Sequence, residues 1–259
     1  MPRQNRLAAS LGACLVLLPA CSGLPMTGHA KVGGSAQAYR LEGAGSPAVV
    51  FQSGLGDGGD AWRKVFPQLV RQRAGIAYDR LGYGDSGQAA GRRDPCAIAR
   101  EQHELLRSVG LQPPYILVGH SLGGLYQYAY AKLYPDEVAG LVLLEPTHPE
   151  HLQRMKSEAP AMAALIRFAY LRFSGTMQRE FDSQTVCVDA LKDKPMPAVP
   201  VKLLLRGRFL PPESGSFASL MKSLSADWES LLGGTRAMPV AGAGHYLQRV
   251  TVCLPAVTV

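Results

Sequence analysis

The sequence predicts an α/β fold, with a mostly parallel sheet flanked by helices on both faces. Its 259 residues have the length of one domain, and its 47% apolar content is enough to form a full core. Short apolar runs alternate along the chain with helical patterns, which is typical of parallel sheets. One run passes directly into a helical pattern through the pentapeptide 119–123 (GHSLG), which places a serine on a sharp turn.

Strand predictions rest on apolar runs bounded by turn residues, and helix predictions rest on apolar positions spaced near 3.6 residues. The first strand, at 36–41, is expected at an edge of the sheet. Further strands are predicted at 48–52, 75–78, 115–118, 140–144, 201–205 and 235–240. Helices are predicted at 61–72, 97–109, 122–134, 162–173 and 217–232.

The beginning of the chain resembles a bacterial lipoprotein signal. Arg3 and Arg6 precede the uncharged apolar stretch 7–20, which is short for a membrane span. The tetrapeptide 18–21 (LPAC) resembles a lipobox, in which the cysteine becomes the new N-terminus and carries lipid. We therefore expect Cys21 to be the site of lipid attachment.

This interpretation divides the chain into three parts. Residues 1–20 are a signal peptide, residues 21–35 are a tether rich in Gly and Ser, and residues 36–259 are the folded domain. The protein is then an exported lipoprotein of the cell envelope, associated with a membrane through its lipid anchor. A secreted or periplasmic protein without lipid is the alternative.

Export would place the folded chain where disulfides persist. We predict a bridge between Cys96 and Cys187, which leaves Cys253 unpaired, while the spacing alone permits other pairings.

The histidines and cysteines lack the spacing of metal ligands, so no metal is expected. The net charge is +7, but the basic residues are scattered, so we expect no nucleic acid partner.

Ser121 has the setting of a nucleophile. It lies between the predicted strand 115–118 and the predicted helix 122–134, on a turn that exposes its hydroxyl. Gly119 and Gly123 suit a turn in which strand and helix backbones come too close for a Cβ. A glycine-rich turn with a capping serine is the alternative interpretation.

Three further segments join this pentapeptide in a pattern that resembles the α/β-hydrolase superfamily. They are 53–56 (SGLG), 79–87 (DRLGYGDSG) and 243–246 (AGHY), and the second of them is typical of esterase-like members. The resemblance covers about residues 36–247. It implies the α/β-hydrolase fold, a serine–acid–histidine triad and no cofactor.

A serine hydroxyl needs a base, and the base needs an orienting acid. In the fold that the resemblance implies, the histidine comes last along the chain. His245 follows the last predicted strand and Gly244, so it is the predicted base. His148 and His151 lie in a charged turn, and we expect neither to have a chemical role.

The identity of the acid stays open between two glutamates. The loop after the predicted strand 201–205 has no aspartate at the usual position. Glu145, at the end of the predicted strand 140–144 and next to Pro146, is the favoured acid because its position is well defined. Glu213, further along the later loop, is the alternative acid, and a third possibility is that neither serves.

The oxyanion of the reaction needs two preorganised donors. We predict that these are the backbone N–H groups of Leu122, which follows the nucleophile, and of Leu55, in the loop after the strand 48–52.

The segment 146–200 interrupts the alternation of strands and helices, and we predict that it forms a helical lid that shapes the pocket.

These residues together predict a serine hydrolase that cleaves small-molecule carboxylic esters through an acyl-enzyme. Hydrolysis of another acyl bond (thioester, lactone or amide) would use the same residues. The unusual acid and the stretch 247–259, which lacks the pattern of a closing helix, motivate a different hypothesis. In it the chain is a non-catalytic lipoprotein that keeps the hydrolase fold as a binding module.

Overall fold

The computed structural model describes residues 23–250. The predicted signal peptide, Cys21, Cys253 and the rest of the stretch after residue 250 lie outside this range. The described part of the chain contains eight strands, which are β1 (Gly28–Val32), β2 (Ser35–Glu42), β3 (Ala48–Gln52), β4 (Gly75–Tyr78), β5 (Tyr115–His120), β6 (Val138–Leu144), β7 (Val201–Arg206) and β8 (Ala237–Val240).

The strands form one sheet in the order β1-β2-β4-β3-β5-β6-β7-β8. Strand β2 pairs antiparallel with β1 and β4, and the remaining neighbours pair in parallel. The mostly parallel sheet predicted from the sequence is confirmed. Because parallel strands end at the same edge of a sheet, the residues that follow β3, β5, β6, β7 and β8 collect at one place.

Helices connect the strands. The predicted helix 61–72 is wrong in extent, because a 3₁₀ turn at Gly59–Trp62 and a single α-helical turn take its place. Pro67 has no N–H to donate to the preceding turn, so a helix does not run through it. The α-helices are α1 (Phe66–Leu69), α2 (Pro95–Ser108), α3 (Leu122–Leu133), α4 (His151–Glu158), α5 (Pro160–Tyr170), α6 (Gly175–Asp182), α7 (Val188–Lys192) and α8 (Ser216–Leu231).

Apolar side chains pack against both faces of the sheet. On β3, Val50 belongs to the cluster formed with α2 and α3. Val49 and Phe51 point the opposite way and pack with Trp62 and Phe66. Each such side chain stabilises the fold by about 1.5–3 kcal/mol when fully buried. Within residues 23–250, no helix has the length and apolar character needed to cross a membrane.

Part of the segment 21–35, where a tether is expected, is a strand in the structure. Gly28–Val32 forms β1, and the turn Gly33-Gly34 connects this strand to β2. Both glycines have positive φ (55° and 84°), a conformation that glycine adopts without the clash of a Cβ. Val32 is completely buried, so β1 is part of the domain rather than of a tether.

Four helices, α4 to α7, lie between β6 and β7, in the segment where the sequence predicts a lid. Met155 of α4 and Met162 of α5 pack with Leu220 of α8 in a third apolar cluster. Met177 of α6 lies against Gly56, where an added Cβ would be 3.0 Å from the methionine Cε. The inserted helices therefore cover part of the loop after β3.

Candidate active site

Ser121 lies on a strained turn between β5 and α3. Its backbone angles are φ 53° and ψ −123°, which a residue with a side chain adopts only where the surrounding structure enforces it. The Ser121 N–H donates to Leu144 O over 3.0 Å, and the Ser121 carbonyl accepts from the N–H of Thr147 over 2.9 Å. These bonds fix the turn against the end of β6, and the side chain remains partly exposed.

The two glycines of the pentapeptide have no space for a side chain. A Cβ on Gly119 would lie 2.5 Å from the carbonyl oxygen of Gly123. A Cβ on Gly123 would lie 2.2 Å from the carbonyl oxygen of Gln52, at the end of β3. The spacing of the motif thus follows from the close contact of β5, α3 and β3 around the serine.

The loop after β3 lies beside Ser121. A Cβ added to Gly54 would be 3.3 Å from the Cβ of Ser121. Within the described part of the chain, the N–H groups of Leu55 and Leu122 have no hydrogen-bond acceptor. Both N–H groups are therefore free to donate to a bound ligand, as the donors of an oxyanion hole must be.

His245 lies beside the same turn. Its carbonyl oxygen is 2.9 Å from Nε2 of His120, the residue before Ser121, and the centroids of the two imidazoles are 4.7 Å apart. Burial lowers the pKa of His120 to about 4, so this imidazole is neutral near neutral pH. Because a carbonyl oxygen only accepts hydrogen bonds, His120 carries its proton on Nε2.

In the structure, neither Glu145 nor Glu213, the two candidate acids, contacts the imidazole of His245. Both bind Arg206, the last residue of β7. Glu145 accepts from the backbone N–H of Arg206 over 2.7 Å and from its Nε over 2.6 Å. Glu213 lies 2.8 Å from Nη1 of the same guanidinium. The guanidinium of Arg206 therefore lies between these two carboxylates and the histidine.

Arg206 contacts Nδ1 of His245, the nitrogen that the acid contacts in a catalytic triad. Its Nη2 is 2.8 Å from Nδ1 of His245. A guanidinium donates and never accepts, so Nδ1 of His245 is the unprotonated nitrogen in this arrangement. Burial lowers the pKa of His245 well below its ordinary value, and the neighbouring His120, Arg206 and His151 lower it further. His245 is therefore neutral, with its proton on Nε2.

The role of Arg206 could not be predicted from its sequence pattern. An arginine that ends an apolar run, as in VKLLLR, has the pattern of a strand end that meets solvent. In the structure its side chain is only 3% exposed, because Glu145 binds it from the end of the neighbouring strand. Glu145 itself has a positive φ of 47°, which directs its carboxylate inward and which no local sequence rule predicts.

His151 also lies near this site, although no chemical role is predicted for it from the sequence. Its Nδ1 is buried and has no hydrogen-bond partner among residues 23–250. Burial lowers the pKa of His151 to about 4, with further contributions from His148 and Arg206. His151 is thus a neutral polar group close enough to His245 to influence its protonation.

A cavity of about 410 Å³ lies away from Ser121, between α3, α7 and α8. Its lining includes Tyr128, His148, Asp227 and Leu231, and Ser121 is not part of it.

A disulfide connects Cys96 at the start of α2 to Cys187 just before α7, the two cysteines that the sequence analysis paired. It links the inserted helices to the body of the domain. The same two sulfurs and the carboxylate of Asp94 lie within 4.8 Å of one another, a distance that a metal ion could bridge. Because both sulfurs are joined in the disulfide, neither is available as a thiolate ligand.

Comparison with known proteins identifies the fold family of the chain. Residues 47–221, more than half of the chain, match the profile of the alpha/beta hydrolase fold family. A (lyso)-N-acylphosphatidylethanolamine lipase of Homo sapiens is 32% identical over 141 residues, which are 49% of this chain and 41% of that protein. The chain spans less than half the length of the curated relatives it matches.

Solved structures share the fold over most of the chain. An alpha/beta hydrolase fold protein from Burkholderia ambifaria superposes with a TM-score of 0.63 at 17% identity, covering 88% of this chain and 94% of that one. Est816, described as an N-acyl homoserine lactone degrading enzyme, superposes with a TM-score of 0.61 at 16% identity, covering 85% and 95%. At these identities the likeness concerns the fold.

Proposed function

Because the chain belongs to the alpha/beta hydrolase fold family, we propose that it is a serine hydrolase that cleaves carboxylic esters. One observation carries the proposal. Ser121 occupies a strained turn with φ 53°, and the N–H groups of Leu55 and Leu122 beside it have no acceptor in the described part of the chain. A strained residue that surrounding structure enforces points to a functional position.

In the proposed reaction, the Ser121 hydroxyl attacks the ester carbonyl and the two amides stabilise the negative oxygen. His245 takes the serine proton and returns it to the alcohol that leaves. Water then attacks the acyl-enzyme and releases the carboxylic acid. Hydrolysis of a lactone, thioester or amide would follow the same steps, and relatives described as a lipase and as a lactone-degrading enzyme support the acyl class.

The base step sets a condition on Arg206. For Nε2 of His245 to accept a proton, Nδ1 must carry the other one, so the guanidinium must move away from Nδ1. Glu145 and Glu213, which hold the guanidinium in the described arrangement, are the nearest carboxylates along the same network. We therefore keep Glu145 as the proposed acid and Glu213 as its alternative, each acting after Arg206 has moved.

Three further expectations belong to the proposal. The helices α4 to α7 serve as a lid over the site, as their position over Gly56 supports. The protein is exported, carries lipid on Cys21 and works at a membrane of the cell envelope; secretion without lipid is the alternative. Its partner is a small-molecule ester.

A non-catalytic binding module is the second candidate function. The contact of Arg206 with His245 Nδ1 favours it. This contact stabilises the tautomer with the proton on Nε2, whereas a base that accepts the serine proton at Nε2 needs its own proton on Nδ1. Fold alone does not decide between the two, since the same fold is compatible with both.

Labelling with a fluorophosphonate probe tests the proposal, because only an activated serine reacts with it. We expect the purified protein to be labelled and Ser121→Ala to lose the label completely. Ser157→Ala, which alters an exposed serine on α4, is the matched control and should keep it. Labelling of Ser121→Ala would reject Ser121 as the nucleophile, and a well-folded wild type that takes up no label would reject the hydrolase in favour of the binding module.

A further inference from the structure

A buried ion pair connects the inserted helices to the loop that carries the Leu55 amide. Arg80 follows β4, and Glu180 lies on α6. Arg80 Nη2 is 3.0 Å from Glu180 Oε2, and Arg80 Nε is 3.2 Å from Glu180 Oε1. The two side chains are 1% and 0% exposed, so this is a fully desolvated pair. Buried charges of this kind require several partners at good geometry.

The remaining N–H groups of Arg80 donate hydrogen bonds to the end of β3 and to the loop that follows it. Its Nη1 donates to Ser53 O over 2.6 Å, and its Nη2 donates to Gly54 O over 2.8 Å. Nη1 also donates to the side-chain oxygen of Gln52 over 3.0 Å. One guanidinium thus holds two consecutive carbonyls of the loop.

The carbonyl of Gly54 and the N–H of Leu55 belong to the same peptide unit. A peptide unit is planar and trans, so its N–H points opposite to its C=O. An arginine that holds the Gly54 oxygen in place therefore also fixes the direction of the Leu55 N–H. The positive charge of the Arg80 guanidinium beside this oxygen further polarises the peptide unit and makes the Leu55 N–H a stronger donor.

Glu180 in turn is held from several sides. It accepts from Arg93 Nη2 over 2.8 Å and from the Tyr83 hydroxyl over 2.7 Å. Arg93 is paired with Glu101 of α2 over 2.6 Å. Although burial alone would raise the pKa of Glu180, the charges of Arg80 and Arg93 lower it, so the carboxylate is ionised.

We infer that Glu180 is a positioning residue for the oxyanion hole. Through Arg80 it fixes the Gly54–Leu55 peptide so that the Leu55 N–H points at the reacting carbonyl, and the inserted helices thereby contribute to the geometry of the transition state. The inference rests on the proposed function for its catalytic consequence. Its structural consequence, an ordered loop at residues 53–59, does not depend on activity.

The principal test compares Glu180→Gln with the wild type. The substitution keeps the shape of the side chain but removes the charge that orients Arg80. On a p-nitrophenyl ester we expect kcat to fall about 10- to 100-fold, because a misdirected oxyanion donor costs rate in the transition state. We expect KM to stay within about twofold, because the ground-state ester makes little use of that donor.

Hydrogen–deuterium exchange of a peptide that covers residues 53–59 is the second readout. We expect faster exchange there in Glu180→Gln, and exchange close to the wild type in the strands of the core. Tyr130→Phe is the matched control, because it removes a partly buried hydrogen bond of 2.6 Å to Glu137 that has no connection to the loop. It should leave kcat and the exchange of residues 53–59 unchanged.

Two more variants keep the inference open to refutation if Glu180→Gln does not fold. Arg80→Lys keeps the charge but cannot reach both carbonyls at once, so it should reproduce the effects of Glu180→Gln. Glu180→Asp keeps the carboxylate and should recover part of kcat. A folded Glu180→Gln or Arg80→Lys whose loop exchanges as in the wild type would overturn the inference.

The two proposals fail in different ways. If the wild type shows no ester hydrolysis and no labelling, the proposed function fails, and the exchange experiment still decides whether Glu180 orders the loop. If the wild type is active and Glu180→Gln loses no more kcat than Tyr130→Phe, the proposed function stands and the positioning role is refuted.

Discussion

At the scale of single residues, the position of Arg206 decides which nitrogen of His245 carries a proton. The guanidinium lies 2.8 Å from Nδ1, and both neighbouring glutamates hold it there. A positive charge at this distance also opposes protonation of the imidazole. The protonation of the proposed base is therefore controlled by a residue outside the usual serine–acid–histidine set.

Replacing Arg206 by glutamine should raise the pKa of His245, because it removes one of the charges that lower it. The acid limb of the pH profile of kcat/KM, measured with a p-nitrophenyl ester, should then move to higher pH. Arg206→Lys retains the charge and should keep the limb close to its wild-type position. Identical acid limbs in Arg206→Gln and the wild type would contradict this role of the guanidinium.

The residues of the site differ in how far the sequence reveals them. Ser121 and His245 stand in local patterns, a strand-to-helix turn and a glycine-flanked segment after a strand, so short stretches of sequence identify both. The pairing of Glu145 with Arg206 joins residues 61 positions apart and depends on a positive φ at the glutamate. No local pattern encodes such a contact, so the sequence does not reveal that Arg206 lies beside the imidazole of His245.

At the scale of elements, the serine turn depends on how closely β3, β5 and α3 approach. Gly123, in the first turn of α3, faces the carbonyl of Gln52 with no space for a methyl group. The close approach places the end of β3, and hence the loop that follows it, beside Ser121. The packing of the three elements thus also sets the position of the Leu55 amide.

Gly123→Ala should destabilise the protein by about 3 kcal/mol or more. The new Cβ would lie 2.2 Å from the backbone oxygen of Gln52, which can move away only if the end of β3 shifts. Urea unfolding monitored by tryptophan fluorescence measures the change. Gly91→Ala is the control, since an added Cβ meets nothing within 4 Å there, and its stability should stay within about 0.5 kcal/mol of the wild type. Equal stability of the two variants would contradict the packing argument.

The elements themselves were largely predictable, because each central strand is a short apolar run that is buried on both faces, as in AVVFQ of β3. The elements that the sequence did not predict correctly differ for physical reasons. Strand β1 has a polar, half-exposed sequence (GHAKV) and gains its order from pairing with β2. The predicted helix 61–72 fails at Pro67, and the separate helices of the insertion pack by tertiary contacts that periodicity does not specify.

At the scale of the whole molecule, the described domain keeps four histidines in surroundings that disfavour their charged form. Burial lowers the pKa of His120 and His151 to about 4, and it also lowers the pKa of His148 and His245. In the unfolded chain these residues titrate near 6.5. Between that pH and their native pKa values, the unfolded state therefore binds more protons than the native state.

By linkage, stability rises with pH wherever the unfolded state binds more protons. The contribution of the neutral histidines is complete above about pH 7 and is lost as the pH falls toward 4. The raised pKa values of Asp57 and Glu101 act in the opposite sense, because their native forms bind protons more readily. The lowered pKa values of Glu137, Glu158 and Glu180 act in the same sense as those of the histidines. With seven of the described groups acting one way and two the other, acidification should destabilise the domain.

We expect the Tm to fall by roughly 5–10 °C between pH 7.5 and pH 5 at constant ionic strength, measured by differential scanning fluorimetry. The double variant His148→Gln/His151→Gln should show a shallower decline, because two of the groups that take up protons on unfolding are gone. His29→Gln alters an exposed histidine on β1 and should leave the slope unchanged. A Tm that is constant or rises on acidification would show that the buried histidines do not control the pH dependence, and that the carboxyl groups with raised pKa values outweigh them.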